Sequence, residues 1–93
     1  MDFKIIWSPR AVLDLENLIH YLKISWNINV INNFTNRLQQ VLDTLSKFPY
    51  AGIKFKTKPF RKILITNHSY LVYKIKQDRI ELLSIIDKRQ EPK

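Results

Sequence analysis

The sequence has 93 residues, 45% of them apolar and 12% aromatic, which suits one modest hydrophobic core and excludes two. It contains no cysteine, so a disulfide framework and thiolate metal ligation are excluded and a reducing, cytoplasmic setting is expected. The formal net charge of +8 is unevenly placed: residues 1–48 carry five Lys/Arg and four Asp/Glu (net +1), residues 49–93 eleven and four (net +7). That asymmetry points to a polyanionic partner, nucleic acid or an acidic protein segment. With no signal-peptide h-region and no apolar run of spanning length, a soluble intracellular protein with no membrane partner is expected.

Phe3, Ile5 and Trp7 alternate with Lys4 and Ile6, which predicts a strand. Ser8-Pro9 then ends it and opens a helix, because serine accepts orphan N–H groups and proline loses nothing in the first turn. Ala11, Leu15, Leu18, Ile19 and Leu22 share one helical face, with Arg10, Asp14, Asn17 and Lys23 on the other. Asp14 and Glu16 are expected to favour the early part of this helix electrostatically, and it should run from Pro9 to about Ile24. Asn27 and Asn29 break the pattern and offer a cap for a second helix. Its stripe is Val30, Phe34, Leu38, Val41, Leu45 and Phe48, and Pro49 stops it. Gly52, the only glycine, is expected to permit a turn that other residues resist.

Ile53 to Lys58 follows. If extended, it would point Lys54, Lys56 and Lys58 one way as a contact strip beside Arg61 and Lys62. Each lysine singly fits a solvated edge equally well. Arg61–Thr66, Tyr70–Lys76 and Arg79–Ile86 are rich in residues that suit a pleated, half-buried surface, and two short polar breaks join them as hairpins. Leu82-Leu83-Ser84-Ile85-Ile86 lacks alternation, which predicts an interior strand buried on both faces. It delivers Lys88 and Arg89 to the end of the sheet. The expected class is α+β: an N-terminal strand, an antiparallel two-helix hairpin and a three-stranded antiparallel meander, with the helices on one face and residues 1–93 forming one domain.

Trp7-Ser8-Pro9-Arg10-Ala11, Asp14-Leu15, Tyr21, Phe34, Leu38, Leu45 and Pro49 resemble the first half of RelE/ParE-superfamily toxins. Phe60-Arg61, Tyr70-Leu71-Val72-Tyr73 and Asp87-Lys88-Arg89-Gln90-Glu91-Pro92 look like the second half, and the order is preserved over essentially the full length. The resemblance implies a growth-inhibiting toxin of a type II toxin–antitoxin pair, held by a cognate acidic antitoxin in a hetero-oligomer. Its target would be DNA gyrase for a ParE-like member, or mRNA on the ribosome for a RelE-like endoribonuclease. A third reading is a toxin-like module that has lost toxicity and only regulates.

For a nuclease, the resemblance places Arg61 on the second-strand basic position and Arg89, with Lys88, at the C-terminal tip. Tyr70 stands where the third-strand arginine belongs, and could serve as an acid or a stacking platform. The spaced partner of Arg61 is Ile63, and no tyrosine follows Arg89, which leaves that catalytic set incomplete and favours the ParE-like reading. Target or antitoxin contacts are expected from Lys54, Lys56, Lys58, Arg61, Lys62, Lys88 and Arg89. His20 and His68 have no ligand-like spacing, so no metal site and no cofactor are expected.

Overall fold

A computed structural model describes residues 2–90. Its elements are β1 (Lys4–Trp7), α1 (Pro9–Ser25), α2 (Ile28–Lys47), β2 (Ile53–Lys54), β3 (Arg61–Leu64), β4 (Ser69–Lys76) and β5 (Arg79–Asp87), with short 3-10 turns at Pro49–Ala51 and Lys88–Gln90. The strands form one sheet in the order β1-β5-β4-β3-β2. The expected α+β class, with both helices against one sheet face, is what the chain adopts. Two details differ: β2 adds a fifth, very short strand, and β1 pairs parallel to β5, so the sheet is mixed. Strand periodicity does not encode pairing direction. The two helices supply part of the long crossover that a parallel neighbour needs.

Both helices begin as their sequences predict. The Ser8 side chain accepts the Ala11 N–H at 3.0 Å, and Asn27 Oδ1 accepts the Val30 N–H at 3.1 Å. Leu18, Leu22, Phe34, Leu38 and Leu45 are buried against Leu71, Tyr73, Ile80, Leu82 and Ile85. Each such side chain contributes roughly 1.5–3 kcal/mol on burial, so packing rather than helix propensity holds the helices. Phe48 is a correction to the expected stripe. It caps α2 and is 66% exposed, while Ile31 takes a buried place instead.

The missing alternation in β5 has a cause other than burial on both faces. The register runs Val72↔Ser84 and then Tyr73↔Leu82, so Leu83 is an extra residue, a β-bulge. The buried positions of β5 therefore shift from Ile80 and Leu82 to Ile85 and Asp87, all towards the helices, and its other positions are half-buried. The bulge lies just past the end of β1, and α1 fastens this stretch. Ser8 Oγ donates to the Leu83 carbonyl at 3.2 Å, and Asp14 Oδ2 accepts the Ile85 N–H at 3.1 Å.

Asp14 therefore does not face away, and the first turn of α1 contains no acidic residue. Its other oxygen meets Arg10 at 3.0 Å, an exposed pair worth little. Asp14→Ala is expected to lower stability by about 1–2 kcal/mol, because the Ile85 N–H loses its acceptor. Arg10→Ala should cost under about 0.5 kcal/mol by comparison. Urea unfolding of the two variants checks this difference.

Candidate functional site

Adjacent residues of a strand point to opposite faces, and the pairing between β3 and β4 sorts the cations accordingly. Arg61 is opposite Tyr73, a core residue, so Arg61 lies on the helix side. Lys62 is opposite Val72 and Leu64 opposite Tyr70, on the open face. There a cavity of about 340 Å³ is lined by Ile53, Lys62, Leu64, Tyr70 and Lys88, with the Ala51–Gly52 backbone at one end. The Lys62 ammonium sits 5.8 Å from the Phe55 ring centre and 5.5 Å from that of Tyr70, within cation–π range. Ile53 and Leu64 are 72% and 63% exposed, so the face combines two ammonium groups with bare apolar surface. The edge of β3 beyond Lys62 has no strand beside it, since β2 pairs only with Arg61 and Lys62.

Further along the same face, Glu81 lies between Lys74 and Arg79, 3.5 Å from each. Desolvation opposes ionisation of this carboxyl, but Lys74, Lys76 and Arg79 outweigh it and hold the group below its ordinary range. Lys74 and Arg79 thus have a local counter-ion, whereas Lys62 and Lys88 have none among the described residues.

Arg61 is held in place from two sides. Its Nη1 donates to the Gly52 carbonyl at 2.9 Å, and its guanidinium carbon lies 4.9 Å from the Tyr50 ring centre. Beneath it, the Tyr73 hydroxyl donates to the Pro49 carbonyl at 2.8 Å and accepts the Gly52 N–H at 2.9 Å. Burial pushes the Tyr73 phenol above its ordinary pKa, against the opposing pull of the Gly52 hydrogen bond and the Arg61 charge. Gly52 itself has φ −78° and ψ 162°, open to any residue. The expected conformational role is corrected: glycine is needed because the Tyr73 ring and the β3 backbone approach too closely for a Cβ.

Arg89 occupies a third environment. Its Nε and Nη2 grip both oxygens of Asp87 at 3.0 and 2.7 Å, and its guanidinium carbon lies 5.6 Å from the Trp26 ring centre. Its backbone carbonyl accepts the Tyr21 hydroxyl at 3.1 Å, closing the C-terminal turn onto α1. The Asp87 hydrogen bond raises the guanidinium's already high pKa further, against desolvation. Asp87 is only 3% exposed. Arg89 therefore neutralises a buried carboxylate.

The single basic rim expected of Arg61, Lys88 and Arg89 is thus split three ways, and only Lys62, Lys88 and Tyr70 of the expected residues share a cavity. The extended lysine strip does not form either: β2 ends at Lys54, and Lys56 and Lys58 follow in bends. Glu91 and Pro92 of the C-terminal motif lie outside the described residues. Ile53 and Leu64 were missing from the expected site. For Leu64, the signal was its period-two relation to Lys62. Among the described residues, no His, Cys, Asp and Glu side chains gather in a group that would hold a metal ion, and no helix is long and apolar enough to cross a membrane.

The family described as "ParE toxin of type II toxin-antitoxin system, parDE" matches residues 5–92. The chain belongs to the ParE toxin family. The fold recurs in the chromosomal ParDE system of Pseudomonas aeruginosa at TM-score 0.75, with 14% identity, 91% of this chain covered and 95% of that one. A conserved hypothetical protein of Helicobacter pylori aligns at TM-score 0.61 and 25% identity, over 94% and 96% of the two chains. The Escherichia coli DinJ-YafQ toxin–antitoxin complex contains a chain similar at TM-score 0.63 and 12% identity, with 96% of each covered. No curated protein matches this ParE-family toxin in sequence. Its solved structural neighbours span both ParE and YoeB or YafQ toxins, as the superfamily resemblance implies.

Proposed function

We propose that this ParE-family toxin stops growth by protein–protein contact with an essential intracellular target, DNA gyrase, and that an acidic antitoxin silences it by covering the open sheet face. Residues 1–93 act as one toxin domain in the cytoplasm. The separation of Arg61, Lys88 and Arg89 carries the first half of this reading. Phosphodiester cleavage needs cations converging on one phosphate, and here one faces the helices, one the open face, and one is bound to Asp87. The open face supports the second half. It offers Lys62 and Lys88 to carboxylates, Ile53 and Leu64 to apolar anchors, and a bare β3 edge to an extended segment. Opposite charge would speed that association and make it salt-sensitive.

Expression without antitoxin in a bacterial host tests the reading. Replication should stop before translation, and purified toxin should inhibit gyrase supercoiling. Charge reversal of both open-face lysines, Lys62→Glu with Lys88→Glu, should weaken antitoxin binding at least about tenfold, or ~1.4 kcal/mol. Both side chains are exposed, so folding should be little changed. Unaltered affinity in this variant, measured by titration calorimetry, would remove the open face as the antitoxin site.

The second reading, a ribosome-dependent endoribonuclease, is favoured by one observation: Tyr70 shares its cavity with both lysines. It requires purified toxin to cut mRNA on ribosomes and Tyr70→Phe to abolish cutting. Normal growth on expression would instead identify a regulatory module without toxicity.

A further inference from the structure

On the helix side of the β2–β3 edge lies a second cavity, of about 320 Å³, lined by Tyr50, Lys54, Pro59, Arg61, Ile75 and Gln77. We propose that it is an anion site that takes a phosphoryl group. Lys54 and Arg61 are partners in the β2–β3 register, so their side chains leave the sheet together on one face. The fork of Arg61 is already oriented, because Nη1 is bonded to the Gly52 carbonyl and the plane rests over Tyr50. Its Nε and Nη2 make no hydrogen bond among the described residues, and neither Lys54 nor Arg61 has a carboxylate partner there. An oriented guanidinium with an ammonium beside it is the donor set that recognises phosphate oxygens. No carboxylate lines the cavity.

Gln77 is an independent observation that points to the same place. It is the one non-glycine residue described at positive φ, 59°, in the two-residue turn between β4 and β5. Glycine would hold that backbone without strain, and asparagine nearly so. What glutamine adds is a longer side chain whose amide reaches the cavity wall and can donate to an oxygen of the ligand. Non-glycine residues held in this region cluster where a side chain is needed for binding. The volume is roughly ten times the ~30 Å³ share of one water molecule, which leaves room for the group that carries the phosphate.

The cavity lies on the opposite face of the sheet from Lys62 and Lys88, so an antitoxin on the open face would leave it accessible. The inference therefore does not depend on the gyrase or antitoxin readings. The phosphoryl group could come from a free nucleotide or from a polynucleotide backbone.

Nitrogen-15 NMR titration of the full-length chain with inorganic phosphate tests the site, with sodium chloride at matched ionic strength as control. Saturable shifts are expected at the Gln77 side-chain amide and at the backbone amides of Lys54 and Arg61. Lys54→Gln and Gln77→Gly should each weaken binding at least about fivefold, as expected for loss of one donor to a charged group. Gln77→Gly also relieves the strained turn, so it should fold at least as well as the parent. Lys62→Gln should leave binding within about twofold, being on the other face. Unsaturable shifts, equal affinity in the Lys54 and Gln77 variants, or shifts centred on Lys62 and Lys88 would overturn the proposal. AMP and an oligothymidylate distinguish the sources. Displacement of phosphate by AMP at similar concentration assigns a monoester. Much tighter, salt-sensitive binding of the oligothymidylate to the same residues assigns a backbone phosphate.

Discussion

Arg89→Ala is expected to destabilise the protein by about 3 kcal/mol, because it removes one partner of a buried ion pair and leaves the other uncompensated. Asp87 has no exposed side-chain surface, and the Arg89 side chain is only 12% exposed. Solvent therefore does not replace the guanidinium easily. The expected fall in melting temperature is roughly 4–8 °C per kcal/mol for a domain of this size. Asp87→Asn combined with Arg89→Ala should recover about 1 kcal/mol or more of that loss, since the stranded charge is gone. A single variant within ~0.5 kcal/mol of the parent, by chemical unfolding, would show that the pair does not anchor the C-terminal turn. The double variant also separates stability from action on a target. If Arg89 contacts the target, toxicity stays lost when stability returns. If Arg89 only holds Asp87 and the turn carrying Lys88, toxicity returns with the fold.

Gly52→Ala is the second substitution with a severe expected cost, about 3 kcal/mol, at the upper end for overpacking a filled site. An added Cβ would lie 2.6 Å from the Tyr73 hydroxyl and 2.8 Å from both the Lys62 carbonyl oxygen and Tyr73 Cε1. The Lys62 carbonyl belongs to a paired strand and the Tyr73 ring is fully buried, so neither yields cheaply. Movement here would also release the Arg61 guanidinium from the Gly52 carbonyl and loosen both cavities at once. Tyr73→Phe keeps the ring and removes only the hydroxyl, stranding the buried Gly52 N–H and costing about 1–3 kcal/mol.

The same tyrosine gives a pH signature. Its pKa is raised in the folded state, so above about pH 10 the unfolded chain ionises first and holds fewer protons than the native one. Stability falls as pH rises from there through the folded pKa. In Tyr73→Phe this part of the alkaline loss should vanish, which unfolding curves across that range would reveal. An alanine at position 52 with parental stability would mean that the β2–β3 contact is looser than these distances describe.

Elements that depend on neighbours in the chain were readable from residues alone. Ser8-Pro9 and Asn27 start helices because capping is a matter of three or four consecutive residues. The stripe from Val30 to Leu45 predicts α2 because helical period and apolar spacing coincide. The α+β layering and the ParE-family likeness follow from the order of such elements. Even the sorting of Arg61 and Lys62 to opposite faces is implied by strand period, although grouping cations by proximity in sequence conceals it.

Partnerships across the chain were decided only by the tertiary structure. The parallel pairing of β1 with β5, the bulge at Leu83 and the turn of Asp14 towards Ile85 each join residues about 70 or more positions apart. No local pattern records them. Charge shows the difference most plainly. Composition counts Arg89 as one of sixteen cations, yet Asp87 neutralises it within the fold, and Lys62 and Lys88 become neighbours only when the C-terminal turn closes beside Tyr70. A side chain's charge is a property of its chemistry, but whether it remains available depends on the groups that folding brings beside it.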